Sequence, residues 1–370
     1  MAQIEQQFLN LLQSGLWQQE ACADLFRETT DWSELFRLSK EQSVVGIVYD
    51  GLLTLPRECQ PSRAFLMNWQ AQVSYIEDVN RSQIQTLLNV HRMYCEQNAT
   101  PVLLLGQSVA LSYPQPLHRD CGDVDWFLSK DDYPRINQWL IENNVADSDR
   151  EETTLQMEYH FEGQIIENHR ACINLYRFSA RKYLQKLTEK WFALRTSRLV
   201  IDGEEILVPP TELNAVLLLY HVVKRLLGRG VTARHLCDWC VFMHARCEEM
   251  DINLLTEYIR GFHLEDMWNV FGRMVIKHLG LPENSMPCLK EGYEEKADLM
   301  MSYIMTSAPV RLRVQKKRSP SLGFWRRKYF ACRRNIKRIA LVYKIAPSQS
   351  VFVLWYITVQ GIKQMFSDKR

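Results

Sequence analysis

Asp123 and Asp125 stand two residues apart in Gly122-Asp123-Val124-Asp125-Trp126-Phe127-Leu128, a stretch that reads as a β-strand. Side chains at i and i+2 of a strand leave the same face, so the two carboxylates come close enough to share divalent ions. Mg²⁺ or Mn²⁺ suits such a pair, because these hard cations take oxygen ligands and keep substrate phosphates in their shell. A third carboxylate from a neighbouring strand would complete the site. Upstream, Gly106 closes the apolar run Val102-Leu103-Leu104-Leu105 and opens a short helix. Backbone N–H groups around Gly106, Gln107 and Ser108 can there approach a triphosphate closely. The chemistry such a set performs is an in-line displacement at phosphorus that expels pyrophosphate. An Asp-x-Asp on a strand is ordinarily a solvated face, so the reading depends on the combination and not on the pair.

Several elements must position these residues. From Ile4 to about Met93 apolar residues recur at helical spacing, with a helix start signalled by Thr30, Asp31 and Ser33 ahead of Glu34. The texture changes at Asn98-Ala99-Thr100-Pro101. Beyond it come the Val102–Leu105 strand, a short helix over Gln107–Tyr113, the Val124–Leu128 strand and a helix over Asp131–Asn143. A hairpin follows, running from Tyr159-His160-Phe161 to Gln164-Ile165-Ile166-Glu167 and turning at Glu162-Gly163. After Pro209-Pro210, Thr211 caps a helix that ends near Gly228 or Gly230, and helical spacing continues to about Leu279. The expected fold is α+β, a small mixed-sheet domain at 95–205. It is flanked by a helical region at 1–94, a helical domain at 206–308 that closes over the nucleotide, and a basic, aromatic helical tail at 309–370.

These motifs resemble a known family. Leu103-Leu104-Leu105-Gly106-Gln107-Ser108-Val109-Ala110-Leu111, with Tyr113-Pro114, Pro116, Arg119 and the Gly-Asp-Val-Asp block, is similar to the bacterial uncharacterised nucleotidyltransferases of the DNA polymerase β-like superfamily. Glu167-Asn168-His169 resembles that family's acidic-x-His element. Arg234-His235-Leu236-Cys237-Asp238-Trp239, preceded by His221 and a glycine turn, is similar to its Arg-Gln-x-x-Asp-Trp helix. The resemblance covers roughly residues 30 to 280. It implies Asp123, Asp125 and Glu167 as catalytic metal ligands, and Gly106, Gln107, Ser108, Arg119, Arg234, Asp238 and His169 as nucleotide contacts. The implied reaction is transfer of a nucleoside monophosphate from an NTP to an acceptor that is a small molecule, an RNA or a protein. Two departures stand out: Leu105 takes the place of the family's lysine before the glycine, and Gln107 that of its small residue.

Blander readings accompany each feature. Glu158 and Glu162 flank Glu167 in the same hairpin. Arg234 and Asp238 are four apart on a helix, which also describes a simple i, i+4 ion pair. Cys237 and Cys240, near His235 and Cys247, lack the second ligand pair that a zinc site needs. Arg229 and His235 weakly match an RNase pair of some helical toxins. Leu105 is what a fold that has lost its chemistry and only binds would show, and a toxin-like enzyme that modifies tRNA or protein is a further alternative.

The net charge of +2 conceals an asymmetry: residues 309 to 344 hold thirteen Lys or Arg and no acid, leaving 32 basic against 43 acidic residues elsewhere. Arg311 to Lys344, interleaved with Phe324, Trp325, Tyr329 and Phe330, suits nucleic acid, an anionic membrane surface, or a solvated face with its aromatics packed inward. The apolar run Val351 to Val359 falls far short of the roughly 20 residues that a spanning helix needs. No transmembrane span is expected. Ten scattered cysteines and the lack of a leader-like N-terminus point to a reducing cytoplasm, with the tail as a peripheral membrane contact where it binds lipid.

Overall fold

The computed structural model describes residues 3–27, 30–147, 150–153, 155–173, 175, 177–194, 197–227, 230–306 and a few positions between 333 and 347. Four helices open the chain: α1 (Gln3–Trp17), α2 (Trp32–Glu41), α3 (Val45–Leu53) and α4 (Arg63–Glu96). The Asp31 carboxylate accepts the Glu34 N–H at 2.9 Å, which satisfies one of the amides that a helix start leaves without a partner. α1 and α3 meet backbone to backbone. A Cβ on Gly15 would lie 1.9 Å from the Ile47 carbonyl oxygen, and one on Gly51 would lie 1.9 Å from that of Leu11. α4 runs for 34 residues and bridges two cores. Its first half gives Trp69, Val73 and Ile76 to the core beneath α1 to α3, and its second half gives Leu87, Leu88, Val90 and Tyr94 to a core beneath the sheet.

Asn98, at φ 55°, turns the chain out of α4 in the left-handed conformation that asparagine tolerates better than most residues. Among the described residues the sheet has seven strands: β1 (Val102–Leu104), β2 (Val124–Phe127), β3 (Glu151–Glu152), β4 (Gln156–Phe161), β5 (Gln164–His169), β6 (Ser197–Ile201) and β7 (Glu204–Val208). Their order is β3-β4-β5-β2-β1-β7-β6. β2 runs antiparallel to β1 and parallel to β5, while β4–β5 and β6–β7 are hairpins. The mixed sheet is the α+β arrangement expected from the sequence, and β4–β5 turns at Glu162-Gly163 as anticipated. The β6–β7 hairpin, turning at Asp202-Gly203, goes beyond what the sequence reading resolved. Three helices connect the strands: α5 (Gln107–Ala110), α6 (Asp132–Glu142) and α7 (Phe178–Leu194). Strand alternation divides the side chains: Leu103, Val124, Trp126 and Ile166 join the core with α4 and α6, whereas Val102, Leu104 and Phe127 join the larger core on the other face.

That larger core also includes α8 (Thr211–Leu227), α9 (Ala233–Arg246), α10 (Ile252–Gly261), α11 (Glu265–Leu279) and α12 (Glu294–Thr306). The N-terminal and C-terminal helices therefore share one apolar cluster. Polar contacts reinforce the junction, with Trp17 Nε1 donating to the Leu279 carbonyl at 2.5 Å. The end of α2 meets the start of α9, where Gln42 Oε1 accepts the Ala233 N–H at 2.8 Å and its carbonyl accepts that of Arg234 at 3.2 Å. Thr232 and His235 close the helix start as a capping box. Of the basic stretch Arg311 to Lys344, only Arg333, Ile336, Ile339, Ala340, Tyr343 and Lys344 are described, so its nucleic-acid and membrane readings lie outside the described residues. Among the described residues no helix is long and apolar enough to cross a membrane.

The α1–α3 contact is tested by Gly51→Ala. The added methyl meets backbone and not a flexible side-chain end, so the expected loss is about 1–3 kcal/mol or more of unfolding free energy in urea titrations. An unchanged midpoint would contradict this packing.

Candidate active site

Asp125 of β2 is in direct register with Glu167 of β5, and both side chains leave the sheet face turned toward α8 and α9. His169 ends β5 on the same face. Its Nε2 lies 2.6 Å from Asp125 Oδ1 and 3.3 Å from Glu167 Oε2, so one ring nitrogen stands between two carboxylates. Ligand atoms of Asp125, Glu167 and His169 all lie within 4.8 Å of one another. Asp123, one residue ahead of β2, opens into the same cavity of about 340 Å³. Of the other hairpin acids, Glu158 sits opposite Glu167 on β4. Glu162 is turned to α4, where it accepts from Thr86 Oγ1 and Asn89 Nδ2. Glu167 is thus the hairpin acid that lines the cavity.

The charges perturb one another strongly. The negative charge of Asp125, then burial, then Glu167 push the Asp123 carboxyl up to about 6. A hydrogen bond from His169 holds Glu167 below the usual carboxylate range, and the charge of Lys224 assists. Burial alone would lower His169, but its bonds to Asp125 and Glu167 outweigh that and raise it to about 9. The imidazolium therefore occupies the position of a counter-ion between the acids. A set of carboxylate oxygens with one imidazole, in which a carboxyl is driven upward by its neighbours, fits a hard divalent cation, because the cation relieves the repulsion that raises Asp123.

The glycine turn adopts an unusual backbone. Leu105 and Gly106 both have φ 47°, a region that costs a non-glycine residue such as Leu105 strain. A Cβ on Gly106 would lie 3.4 Å from the Asp123 carbonyl oxygen, so the two loops lie against each other. Leu105 and Gly106 line the cavity. Gln107 and Ser108 are not brought into it: Gln107 Nε2 donates to Gln83 Oε1 on α4 at 2.8 Å, and Ser108 Oγ donates to the Leu105 carbonyl at 2.7 Å.

Arg119 and Asp238 do border the cavity, and they face each other. Arg119 donates from Nε and Nη2 to the two Asp238 oxygens at 2.6 and 2.8 Å, and Tyr113 Oη donates to the same carboxylate at 2.7 Å. Burial would raise Asp238, but the guanidinium overrides it and holds the carboxyl down. Arg234, in turn, donates to the Asp120 carbonyl. The loop that delivers Asp123 is therefore tied to α9 at both Arg119 and Asp120.

Facing the acids is a cationic wall: Arg234 of α9, expected there as a nucleotide contact, stands with Lys224 and Arg225 of α8, which sequence reading did not assign, above the stacked rings of His221 and His235, whose centroids are 5.6 Å apart. The signal was present, since His221, Lys224 and Arg225 stand at i, i+3 and i+4 and so share one helix face. Burial, with the neighbouring cations, holds both imidazoles well below their ordinary value and so neutral. Arg229 of the weak RNase match lies outside the described residues. One wall of acids and one of cations, across a single cavity, fits divalent ions together with a polyphosphate.

Residues 28–278 match the family described as uncharacterised nucleotidyltransferase. A search of curated proteins finds no match. A solved structure described as an antigenic nucleotidyltransferase-like protein from Paracoccidioides brasiliensis is similar at 14% identity and a TM-score of 0.29, over 45% of this chain and 75% of that one.

Asp123→Asn tests the electrostatics. A carboxyl raised to about 6 favours the folded state below about pH 4, and that advantage is lost as pH rises through 6. In EDTA at pH 7.5 the substitution should therefore stabilise the protein by about 1–3 kcal/mol, while the thermal shift that Mg²⁺ or Mn²⁺ gives the wild type should shrink. A destabilised variant in EDTA would contradict the crowding of the three acids.

Proposed function

This chain belongs to the uncharacterised nucleotidyltransferase family, and we propose that it is a Mg²⁺- or Mn²⁺-dependent enzyme that transfers a nucleoside monophosphate from an NTP to a hydroxyl-type acceptor. The observation that carries this reading is the convergence of Asp123, Asp125 and Glu167 on one cavity whose opposite wall holds Lys224, Arg225 and Arg234. Asp123, Asp125 and Glu167 would hold the divalent ions, with His169 able to join the ligand set. Bound metal supplies Lewis-acid stabilisation of the attacked phosphate and lowers the pKa of the incoming hydroxyl. The protein's own part is threefold. Glu167 accepts the proton of the acceptor hydroxyl, the Leu105-Gly106 turn limits how the nucleotide enters, and the cationic wall stabilises negative charge as pyrophosphate departs. Arg119 and Asp238 act through position, by fixing the loop that carries Asp123. The acceptor is a small molecule, an RNA or a protein, and the nine described cysteines, all free thiols, support a reducing cytoplasm as its setting.

A binding protein of this fold without chemistry has one observation in its favour, Leu105 at a position where the resemblance has lysine, with Gln107 and Ser108 turned outside the cavity. Turnover separates the two readings. Wild-type protein incubated with each α-labelled NTP, Mg²⁺ and cell extract should release pyrophosphate and pass label to an RNA, protein or small-molecule fraction. Asp123→Asn combined with Asp125→Asn should reduce that transfer at least a thousandfold in a protein that still folds, since loss of metal ligation removes several kcal/mol of transition-state stabilisation, about 1.4 kcal/mol for each factor of ten. Undiminished transfer by the double variant would overturn the assignment of these acids. Metal-dependent NTP binding without transfer would favour the binding protein.

A further inference from the structure

Among the described residues, two donors of the cationic wall have no hydrogen-bond partner. His235 is 8% exposed and lines the cavity, and its Nε2 is buried without a hydrogen-bond partner. The Nε of Arg234, the residue before it, is in the same condition. A buried unsatisfied donor costs free energy, so such a group in a native fold calls for an explanation. The tautomer of His235 is fixed by its surroundings. The Thr232 backbone N–H donates to Nδ1 at 3.2 Å, and the Thr232 hydroxyl lies 2.8 Å from the same atom, so Nδ1 accepts and the ring proton sits on Nε2. Burial and the neighbouring Arg234 and Arg225 keep the ring neutral. His221, stacked on it, accepts from Arg225 Nε at 3.1 Å through its own Nε2 and is not the missing acceptor. The backbone start of α9 is already occupied, because Gln42 takes the N–H groups of Ala233 and Arg234. What remains is a pair of buried side-chain N–H groups, one neutral and one cationic, on two residues that line the cavity.

We propose that His235 Nε2–H and Arg234 Nε–H form a subsite for the phosphate oxygens that leave as pyrophosphate, so that the polyphosphate of the substrate is gripped by α8 and α9 and not by the side chains of the Gly106–Ser108 loop. This deepens the nucleotidyl-transfer reading and rests on it. Negatively charged phosphate oxygens are the acceptors these two donors lack, and the Nε2–H of His235 remains a donor whether its ring is neutral or protonated. The subsite selects tri- or diphosphate over monophosphate ligands. No bond is made or broken at His235, which touches only the non-transferred phosphates.

Two substitutions separate this role from the capping of α9. His235→Asn puts an amide oxygen near Nδ1, which keeps the Thr232 contact, but it has nothing at the Nε2 position. His235→Gln keeps an N–H donor that reaches the cavity and is a standard partner in a capping box. Calorimetric titration with Mg²⁺-ATP, Mg²⁺-pyrophosphate and Mg²⁺-AMP, alongside thermal melts, gives the readout. The expected result is that His235→Asn melts near wild type yet binds ATP and pyrophosphate roughly tenfold to a hundredfold more weakly. AMP binding should be little changed, and His235→Gln should recover most of the loss. Equal weakening of all three ligands, or no weakening of pyrophosphate while the wild type binds it, overturns the subsite and leaves the nucleotidyl-transfer reading standing. A wild type that binds none of the three with or without metal overturns both.

Discussion

Everything in this molecule depends on holding like charges together. Asp125 and Glu167 are cross-strand partners and Asp123 opens into the same cavity, so three carboxylates crowd a space whose charge would disperse in an unfolded chain. At the 4.8 Å that bounds the ligand atoms of Asp125 and Glu167, two unit charges at an effective dielectric of about 20 repel by about 3 kcal/mol. The structure offsets this in two places. His169 puts a proton between Asp125 and Glu167, and the cations of α8 and α9 face the acids from across the cavity. A protein needing only stability would not assemble such a cluster, since removing an acid removes the repulsion. The cluster makes sense as a site that a cation completes.

The scaffold is arranged to resist that repulsion. β2 is gripped on both sides, by β1 antiparallel and β5 parallel, so Asp125 and Glu167 cannot slide apart without breaking two ladders. Asp123 lies just outside the strand, where no ladder restrains it. There the buried Arg119–Asp238 pair and the bond from Arg234 to Asp120 tie the loop to α9. A buried ion pair is a poor source of net stability, but it is specific about geometry, since breaking it strands a charge in the interior. The arginine and aspartate that the resemblance marked as nucleotide contacts thus spend their charge on each other.

The sequence made part of this legible and hid the rest for physical reasons. Alternation and turn chemistry are local, so β2, the Glu162-Gly163 hairpin and the helix start at Thr30 to Ser33 could all be read. The β6–β7 hairpin was equally legible, since Asp202-Gly203 between Leu199-Val200-Ile201 and Ile206-Leu207-Val208 is a local hairpin signal that the reading passed over. Glu167 could be singled out from Glu158 and Glu162 only through resemblance. In space the three are plainly different, since Glu162 reaches α4 and Glu158 backs onto Glu167. The use of Gln107 was not readable at all: its partners Asn80 and Gln83 lie some two dozen residues upstream, on a helix whose polar face looked solvated in one dimension.

Leu105 ties these threads together. Its side chain packs against the large core at the edge of the cavity, while its backbone takes a left-handed conformation that costs a non-glycine residue strain. The cations of the cavity come instead from α8 and α9, which reach it through a different part of the fold. How those cations face the acids depends on how the sheet docks against the two helices, and that docking is held by the shared core and by the Arg119–Asp238 pair. Positive charge carried on a packed helical wall and not on a loop makes the charge facing the acids a property of tertiary structure. For that reason the departure at Leu105, which looks in the sequence like a lost function, is matched in space by cations already facing the acids.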